Sequence, residues 1–153
     1  MKTILVDDEA WSIKQMEKEL EEYKQVEIVG SFEDAREALE FARQNEVEFA
    51  LLDIEMPYMN GIELGRKLRE INSKIILIYL TGYEDYLKEA ILNLKADYYL
   101  LKPYDHRDIE DVVNRALSLS KRMEKRVVIR TFGGFELYID GELVHLANRK
   151  AKE

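Results

Sequence analysis

The run Phe49-Ala50-Leu51-Leu52-Asp53-Ile54-Glu55-Met56-Pro57 constrains this chain more than any other, because a continuous apolar stretch stops on a carboxylate and then a proline. A short apolar run bounded by turn residues fits a strand buried on both faces, and such strands belong to parallel sheets. Ligands of open α/β sheets lie beyond the carboxyl ends of the strands, so Asp53 stands where chemistry is expected.

The rest of the chain repeats that unit. Lys2 to Val6 reads as a strand breaking at Asp7-Asp8-Glu9, and Ile13, Met16, Leu20 and Tyr23 then recur at helical spacing. Val26 to Ser31 reads as a second strand, and Glu33 to Gln44 as a helix with Ala35, Ala38, Leu39 and Ala42 inward. After Pro57, Asn60-Gly61 is a turn signal, and Ile62, Gly65, Leu68 and Ile71 mark a third helix. Lys74 to Leu80 is the most apolar run and predicts a central strand closing at Thr81-Gly82. Tyr86, Leu87, Ala90, Ile91 and Leu94 predict a fourth helix, and Asp97 to Leu101 a fifth strand ending at Lys102-Pro103. From Asp105 the positions Ile109, Val112, Val113, Ala116 and Leu117 predict a fifth helix running towards Met123.

Five strands alternating with five helices imply a doubly wound α/β fold, a five-stranded parallel sheet covered on both faces, since parallel strands need helical crossovers. The flavodoxin-like order 2-1-3-4-5 is the expectation chosen; one sequence does not dictate the order, but this one would set strands one and three side by side and gather Asp7, Asp8 and Asp53.

Beyond residue 122 the rhythm changes. A linker over 123–126 leads to three short strands over 127–132, 135–139 and 142–146, joined at Gly133-Gly134 and Asp140-Gly141, and Asp-Gly is a hairpin signal. The last residues, Asn148 to Glu153, read as a helix beginning, so a fragment of a longer protein is expected. Charge divides at the same place: residues 121–153 hold eight Lys/Arg against five Asp/Glu, whereas the whole chain has net charge −8. So acidic a chain is not expected to bind nucleic acid as a whole. With no cysteine and two histidines, His106 and His145, disulfides and Cys/His zinc sites cannot organise the fold. No apolar run is long enough for a signal peptide or membrane span, so no membrane partner and a cytoplasmic location are expected.

Every candidate functional group falls at a strand end: Asp7, Asp8 and Glu9, then Asp53 and Glu55, then Thr81, then Lys102. Clustered aspartates repel, and without a cation at least one should keep its proton. Oxygen-only ligands favour a hard cation such as Mg²⁺, which keeps waters that a phosphate can displace. Lys102 offers a compact charge for a phosphoryl oxygen, and Thr81 a hydroxyl to donate to it. The set fits phosphoryl transfer onto a carboxylate, with Asp53 as nucleophile.

Residues 1 to about 122 thus resemble the receiver domain of a two-component response regulator. The motifs are Val6-Asp7-Asp8-Glu9, Leu52-Asp53-Ile54-Glu55-Met56-Pro57 with Gly61, Leu80-Thr81-Gly82-Tyr83, and Tyr99-Leu100-Leu101-Lys102-Pro103. The resemblance implies that Asp53 accepts phosphate from a histidine kinase. It implies that Asp8 and Asp53 bind Mg²⁺ directly, Asp7 through water, and Glu55 by its backbone carbonyl. Lys102 would pair with the phosphoryl group before a cis Lys102-Pro103 peptide, and Thr81 and Tyr99 would form the switch pair. The implied output face spans residues 84–120 and would carry a homodimer on activation. Such a chain is a signalling switch rather than an enzyme, catalysing only its own phosphorylation and dephosphorylation.

Residues 127–153, through Arg130-Thr131-Phe132-Gly133-Gly134-Phe135-Glu136, Asp140-Gly141 and Arg149 to Glu153, resemble the opening of a winged-helix DNA-binding domain of the antibiotic-regulatory-protein type. The recognition helix would lie beyond it, so DNA would be bound only through the missing effector part.

Some positions depart from the receiver pattern. Gly82 stands where many relatives have alanine, and Glu55 and Tyr83 occupy positions that tune phosphorylation and hydrolysis in this family. Taken alone, Asp7-Asp8-Glu9 could simply favour a helix dipole, Tyr99 and Trp11 could be packing residues, His106 surface, and the basic run from Lys121 a solvated helix end. Two other functions compete. A pseudo-receiver interaction module is disfavoured because every site residue is present. A haloacid-dehalogenase-type hydrolase needs a second aspartate two residues after the nucleophile, and Glu55 is there instead.

Overall fold

The computed structural model describes residues 1–83 and 96–123, and the backbone of 127–130, 136–139 and 142–144. The chain divides into two compact units, Met1–Leu119 and Ser120–Glu153. In the first, β1 (Lys2–Val6), α1 (Ala10–Leu20), β2 (Glu27–Phe32), α2 (Ala35–Gln44), β3 (Phe49–Asp53), α3 (Gly61–Ile71), β4 (Ile76–Thr81) and β5 (Tyr98–Leu101) follow in order. Helix α4 (His106–Met123) runs on across the division. The five strands form one parallel sheet in the order β2-β1-β3-β4-β5, as expected. Four helices lie among the described residues; the helix expected around Tyr86 to Leu94 falls outside them.

The period of two along each strand sorts its side chains into two cores. Ile4, Val6, Ala50, Leu52, Leu77 and Tyr79 point to one face, packed with Ala38, Leu39, Leu64 and Leu68 of α2 and α3. Leu5, Phe49, Leu51, Ile76, Ile78 and Leu80 point to the other, packed with Met16 and Leu20 of α1 and Ile109, Val112, Val113 and Ala116 of α4. All residues of β3 and β4 are buried, as a strand covered on both sides requires.

Side chains cap the starts of α2, α3 and α4, while α1 begins without one, and the cap of α2 moves an expected boundary. Asp34 caps α2, its carboxylate accepting from Arg36 N at 2.8 Å, so the helix begins at Ala35 rather than Glu33. Asn60 caps α3 through Glu63 N at 2.9 Å. Asp105 and Asp108 cap α4 reciprocally, each carboxylate accepting the other's backbone N–H at 3.0 and 2.9 Å. At the C-terminal end of β4, Thr81 is a strand residue rather than the first past it, because its carbonyl accepts from Lys102 N at 2.7 Å. Helix α1 stops at Leu20, short of the expected Tyr23.

Asp97 fastens the opposite end of β5. Its Oδ2 accepts from Leu77 N at 2.8 Å and pairs with Arg69 Nη2 of α3 at 3.0 Å. Gly65 on α3 lets that helix close over the buried Tyr79, since a Cβ there would stand 2.0 Å from the Tyr79 hydroxyl oxygen.

In the second unit, β6 (Val127–Arg130), β7 (Glu136–Ile139) and β8 (Glu142–Val144) pair antiparallel in that order. The expected turns at Gly133-Gly134 and Asp140-Gly141 and the start of a helix after Asn148 lie outside the described residues. Among the described residues no helix is long and apolar enough to cross a membrane.

Candidate functional site

The register of the sheet builds the site. Val6 of β1 pairs beside Leu52 of β3, so the next residues, Asp7 and Asp53, emerge side by side at the carboxyl edge. Asp8 joins them, and one carboxylate oxygen from each of the three lies within 4.8 Å of the others. Asp7 and Asp53 are 4 % and 3 % exposed while Asp8 is exposed, so the cluster opens to solvent on one side.

Backbone contacts hold Asp53 in place. Ile54 N donates to Leu80 O at 2.9 Å, and Gly61 N donates to Ile54 O at 3.0 Å, which draws the start of α3 over the end of β3. A Cβ on residue 61 would sit 2.1 Å from the Asp53 carbonyl oxygen, so only glycine permits this approach.

Lys102, from the end of β5, crosses to the acidic cluster. Its ammonium bonds Asp7 Oδ2 at 2.9 Å and stands 3.7 Å from Asp53 Oδ1. The other Asp7 oxygen accepts from Glu9 N at 2.9 Å, so both are engaged. Asp53 Oδ1, by contrast, is buried without a hydrogen-bond partner. Burial, then the charge of Asp7, push the Asp53 pKa up to about 7 against the pull of Lys102, with the Glu55 carboxylate adding to the rise. Lys102 itself is raised: burial works against its charge, and the bond to Asp7 with the nearby Asp53 overcomes it.

These residues fit a hard divalent cation. The donors are all oxygen, three carboxylates converge, and a buried carboxylate oxygen has no donor of its own. The acidic cluster could hold a metal ion.

Thr81 is fully buried, and its hydroxyl donates to the Glu55 carboxylate. Tyr83 N in turn donates to Thr81 Oγ1 at 3.1 Å. The Glu55 side chain therefore bonds Thr81, a contact not legible in the sequence. Tyr99 is 37 % exposed and stacks on Tyr98, with ring centroids 5.7 Å apart. It pairs beside Tyr79, two residues back along β5 from Leu101, the partner of Thr81. The Lys102-Pro103 peptide is cis.

Two further features escaped the sequence reading. Tyr104, two residues past Lys102, is raised in pKa by burial and feels the charges of Lys102, Asp7 and Asp53; its position directly after the Lys-Pro pair was the available signal. Tyr58, in the loop after Pro57, has φ of 67° and carries the Arg36 guanidinium 4.3 Å from its ring centroid.

The family model described as "Response regulator receiver domain" matches residues 3–114. The transcriptional regulatory protein YpdB of Escherichia coli (strain K12) is 31% identical over 115 residues, which are 75% of this chain and 47% of that protein. The transcriptional regulatory protein LytR of Staphylococcus aureus (strain N315) is 31% identical over 115 residues, 75% of this chain and 46% of its own. This chain therefore spans about half the length of the curated relatives it matches. Among solved structures, the response regulatory domain of MrkE from Klebsiella pneumoniae superposes with a TM-score of 0.69 at 31% identity, covering 81% of this chain and 98% of that one. The REC domain of AraT, a response regulator from Geobacillus stearothermophilus, gives 0.70 at 34% identity, covering 80% and 98%. With the matched segment extending over most of the chain and containing the whole acidic cluster, this protein belongs to the response regulator receiver domain family.

Proposed function

We propose that this chain is a phosphorylation-driven switch that takes a phosphoryl group onto Asp53 from a histidine kinase. One observation carries the reading: the buried, unpartnered Asp53 Oδ1 lies beside two further carboxylates and 3.7 Å from the Lys102 ammonium. A carboxylate so placed is short of partners until an electropositive phosphorus arrives.

In the transfer, an Asp53 oxygen attacks phosphorus while the bond to the donor's imidazole nitrogen breaks, and the electron pair leaves with that nitrogen. Asp53 ends as an acyl phosphate. Asp7, Asp8 and Asp53 would hold Mg²⁺, with the Glu55 backbone carbonyl as a further ligand. Bound there, the ion neutralises carboxylate and phosphoryl charge. Lys102 exchanges part of its contact with Asp7 for a phosphoryl oxygen, and the Thr81 hydroxyl turns to another. Tyr99 follows Thr81 as the second half of the switch. The added charge biases two packings of the same chain rather than creating a new one.

The output face is assigned to 84–120, of which 84–95 lie outside the described residues. Tyr98, Tyr99 and Leu101 on the edge strand β5 are 36 %, 37 % and 40 % exposed, apolar surface suited to a homodimer formed on activation. The strands β6 to β8 are read as the opening of a winged-helix effector domain, so transcriptional control would belong to the longer protein and specific DNA binding would be absent from these 153 residues.

Intact mass after incubation with acetyl phosphate and Mg²⁺ tests the assignment. One phosphoryl adduct is expected, lost in Asp53→Asn and on chelation. No adduct on a folded protein would leave two readings, a requirement for the kinase as donor or the phosphorylation-independent interaction module.

A further inference from the structure

We propose that the Glu55 carboxylate is an internal competitor for the Thr81 hydroxyl, a positioning residue that keeps the switch in its resting arrangement until a phosphoryl oxygen displaces it. The inference rests on the phosphoacceptor reading above and adds a regulator to that site.

The argument is one of proton supply. A threonine hydroxyl has a single proton to donate. Here it goes to Glu55 Oε1, while the oxygen accepts from Tyr83 N at 3.1 Å. Among the described residues the other acceptor in reach, Tyr83 O, is 3.5 Å away, at the limit of a hydrogen bond. Thr81 is 0 % exposed, so bulk water offers it nothing else. Donation to Glu55 and donation to a phosphoryl oxygen therefore exclude each other.

The competitor is well matched. A hydrogen bond to a carboxylate is charge-assisted and about twice as strong as a neutral one. Glu55 also follows Asp53 by two residues, and its carboxylate bears on Asp53 as well as on Thr81. One side chain thus links the nucleophile to the switch hydroxyl, and the arriving phosphoryl group must take over a bond that already exists. Glu55 raises the threshold for switching and shortens the time Thr81 spends turned towards Asp53.

A second account makes Glu55 a repelling charge that never needs Thr81. Glutamine separates the two, because it discards the charge and keeps an oxygen to accept from Thr81. The experiment compares wild type, Glu55→Gln and Glu55→Ala, each with Thr81 and with Thr81→Val. The first readout is the Thr81 methyl resonance of the unphosphorylated protein. The second is affinity for beryllofluoride with Mg²⁺, followed by calorimetry.

Competition predicts that Glu55→Ala moves the Thr81 methyl resonance and tightens beryllofluoride binding about tenfold, the weight of one charge-assisted hydrogen bond. Glu55→Gln recovers most of the wild-type behaviour, and the Glu55→Ala gain vanishes beside Thr81→Val. Equal gains from both Glu55 variants in both backgrounds would establish repulsion and overturn the proposal. An unmoved Thr81 methyl resonance in Glu55→Ala would overturn it too, whatever the affinities. Wild type failing to bind beryllofluoride would instead strike the phosphoacceptor reading and remove the competition with it.

Discussion

Two carboxylates at opposite ends of the sheet show how differently one residue type is used. Asp97, before β5, has two donors on one oxygen: its Oδ2 accepts from Leu77 N at 2.8 Å and from Arg69 at 3.0 Å. Asp53, at the end of β3, is buried more deeply, its side chain 4 % exposed against 17 % for Asp97, yet its Oδ1 has no hydrogen-bond partner and the Lys102 ammonium stands 3.7 Å away. The first is paired with a cation and a backbone donor, and serves the fold. The second is left short, and shortage at a solvent-reachable edge is what a reacting group requires.

That contrast predicts stability changes of opposite sign. Asp97→Ala removes a partner from Arg69 and leaves Leu77 N without its acceptor at the start of β4. A loss of about 3 kcal/mol is expected in urea unfolding, as for breaking a largely buried pair. A loss below about 1 kcal/mol would show Asp97 to be a surface contact, and the comparison would break.

Asp53→Asn should instead stabilise the metal-free protein at pH 8, by roughly 2 kcal/mol, because it removes a buried charge with no adequate partner. The sign in pH follows. The folded-state pKa of Asp53 lies near 7, above the ordinary value of 3.8. Its contribution is therefore fully favourable below about pH 4 and is lost as pH rises towards and through 7. Metal-free wild type should lose stability across that window, and Asp53→Asn should lose less. Parallel profiles for the two proteins would show that the strain lies elsewhere. Saturating Mg²⁺ should flatten the wild-type profile, since a cation supplies what Asp53 lacks.

The sequence exposed one side of this contrast and concealed the other. Apolar runs broken by Asp7, Asp53, Thr81 and Lys102 mark the strands and the residues at their carboxyl ends, because strand ends are local features, whereas the sheet order is a choice that one sequence does not dictate. Pairings are not local. Nothing in the sequence ties Asp97 to Arg69, 28 residues earlier, or Lys102 to Asp7, 95 residues earlier. Lys102 was expected to await a phosphoryl group, and it is already bonded to Asp7. Glu55 was legible as an unusual acid near the nucleophile, but its bond to Thr81 depends on β3 and β4 being neighbours in the sheet. The start of α2 shifted for a different, local reason: which of Glu33, Asp34 and Ala35 opens the helix is decided by one side-chain bond to Arg36 N, two residues on.

A third carboxylate contact sets the lower end of the scale. His106 Nδ1 lies 2.8 Å from Glu19 Oε2 across α4 and α1, with Glu22 Oε2 3.8 Å from Nε2, and all three side chains are well exposed. The bond to Glu19 raises the His106 pKa above its ordinary value of 6.5. The pairing therefore contributes below about pH 6.5 and fades as pH rises through the higher folded-state value. Solvent screening keeps that contribution small, so His106→Gln should leave the melting temperature within about 1 °C of wild type at pH 6. The two titrations fall in adjoining windows, Asp53 chiefly below pH 7 and His106 above 6.5. In Asp53→Asn, the part of the slope above pH 6.5 that belongs to His106 is the part that the double variant with His106→Gln should remove. A melting-temperature drop of several degrees in His106→Gln would mean that this exposed pair joins α1 to α4 more firmly than its setting allows. The rule that separates paired, strained and merely solvated carboxylates in this fold would then fail at its simplest case.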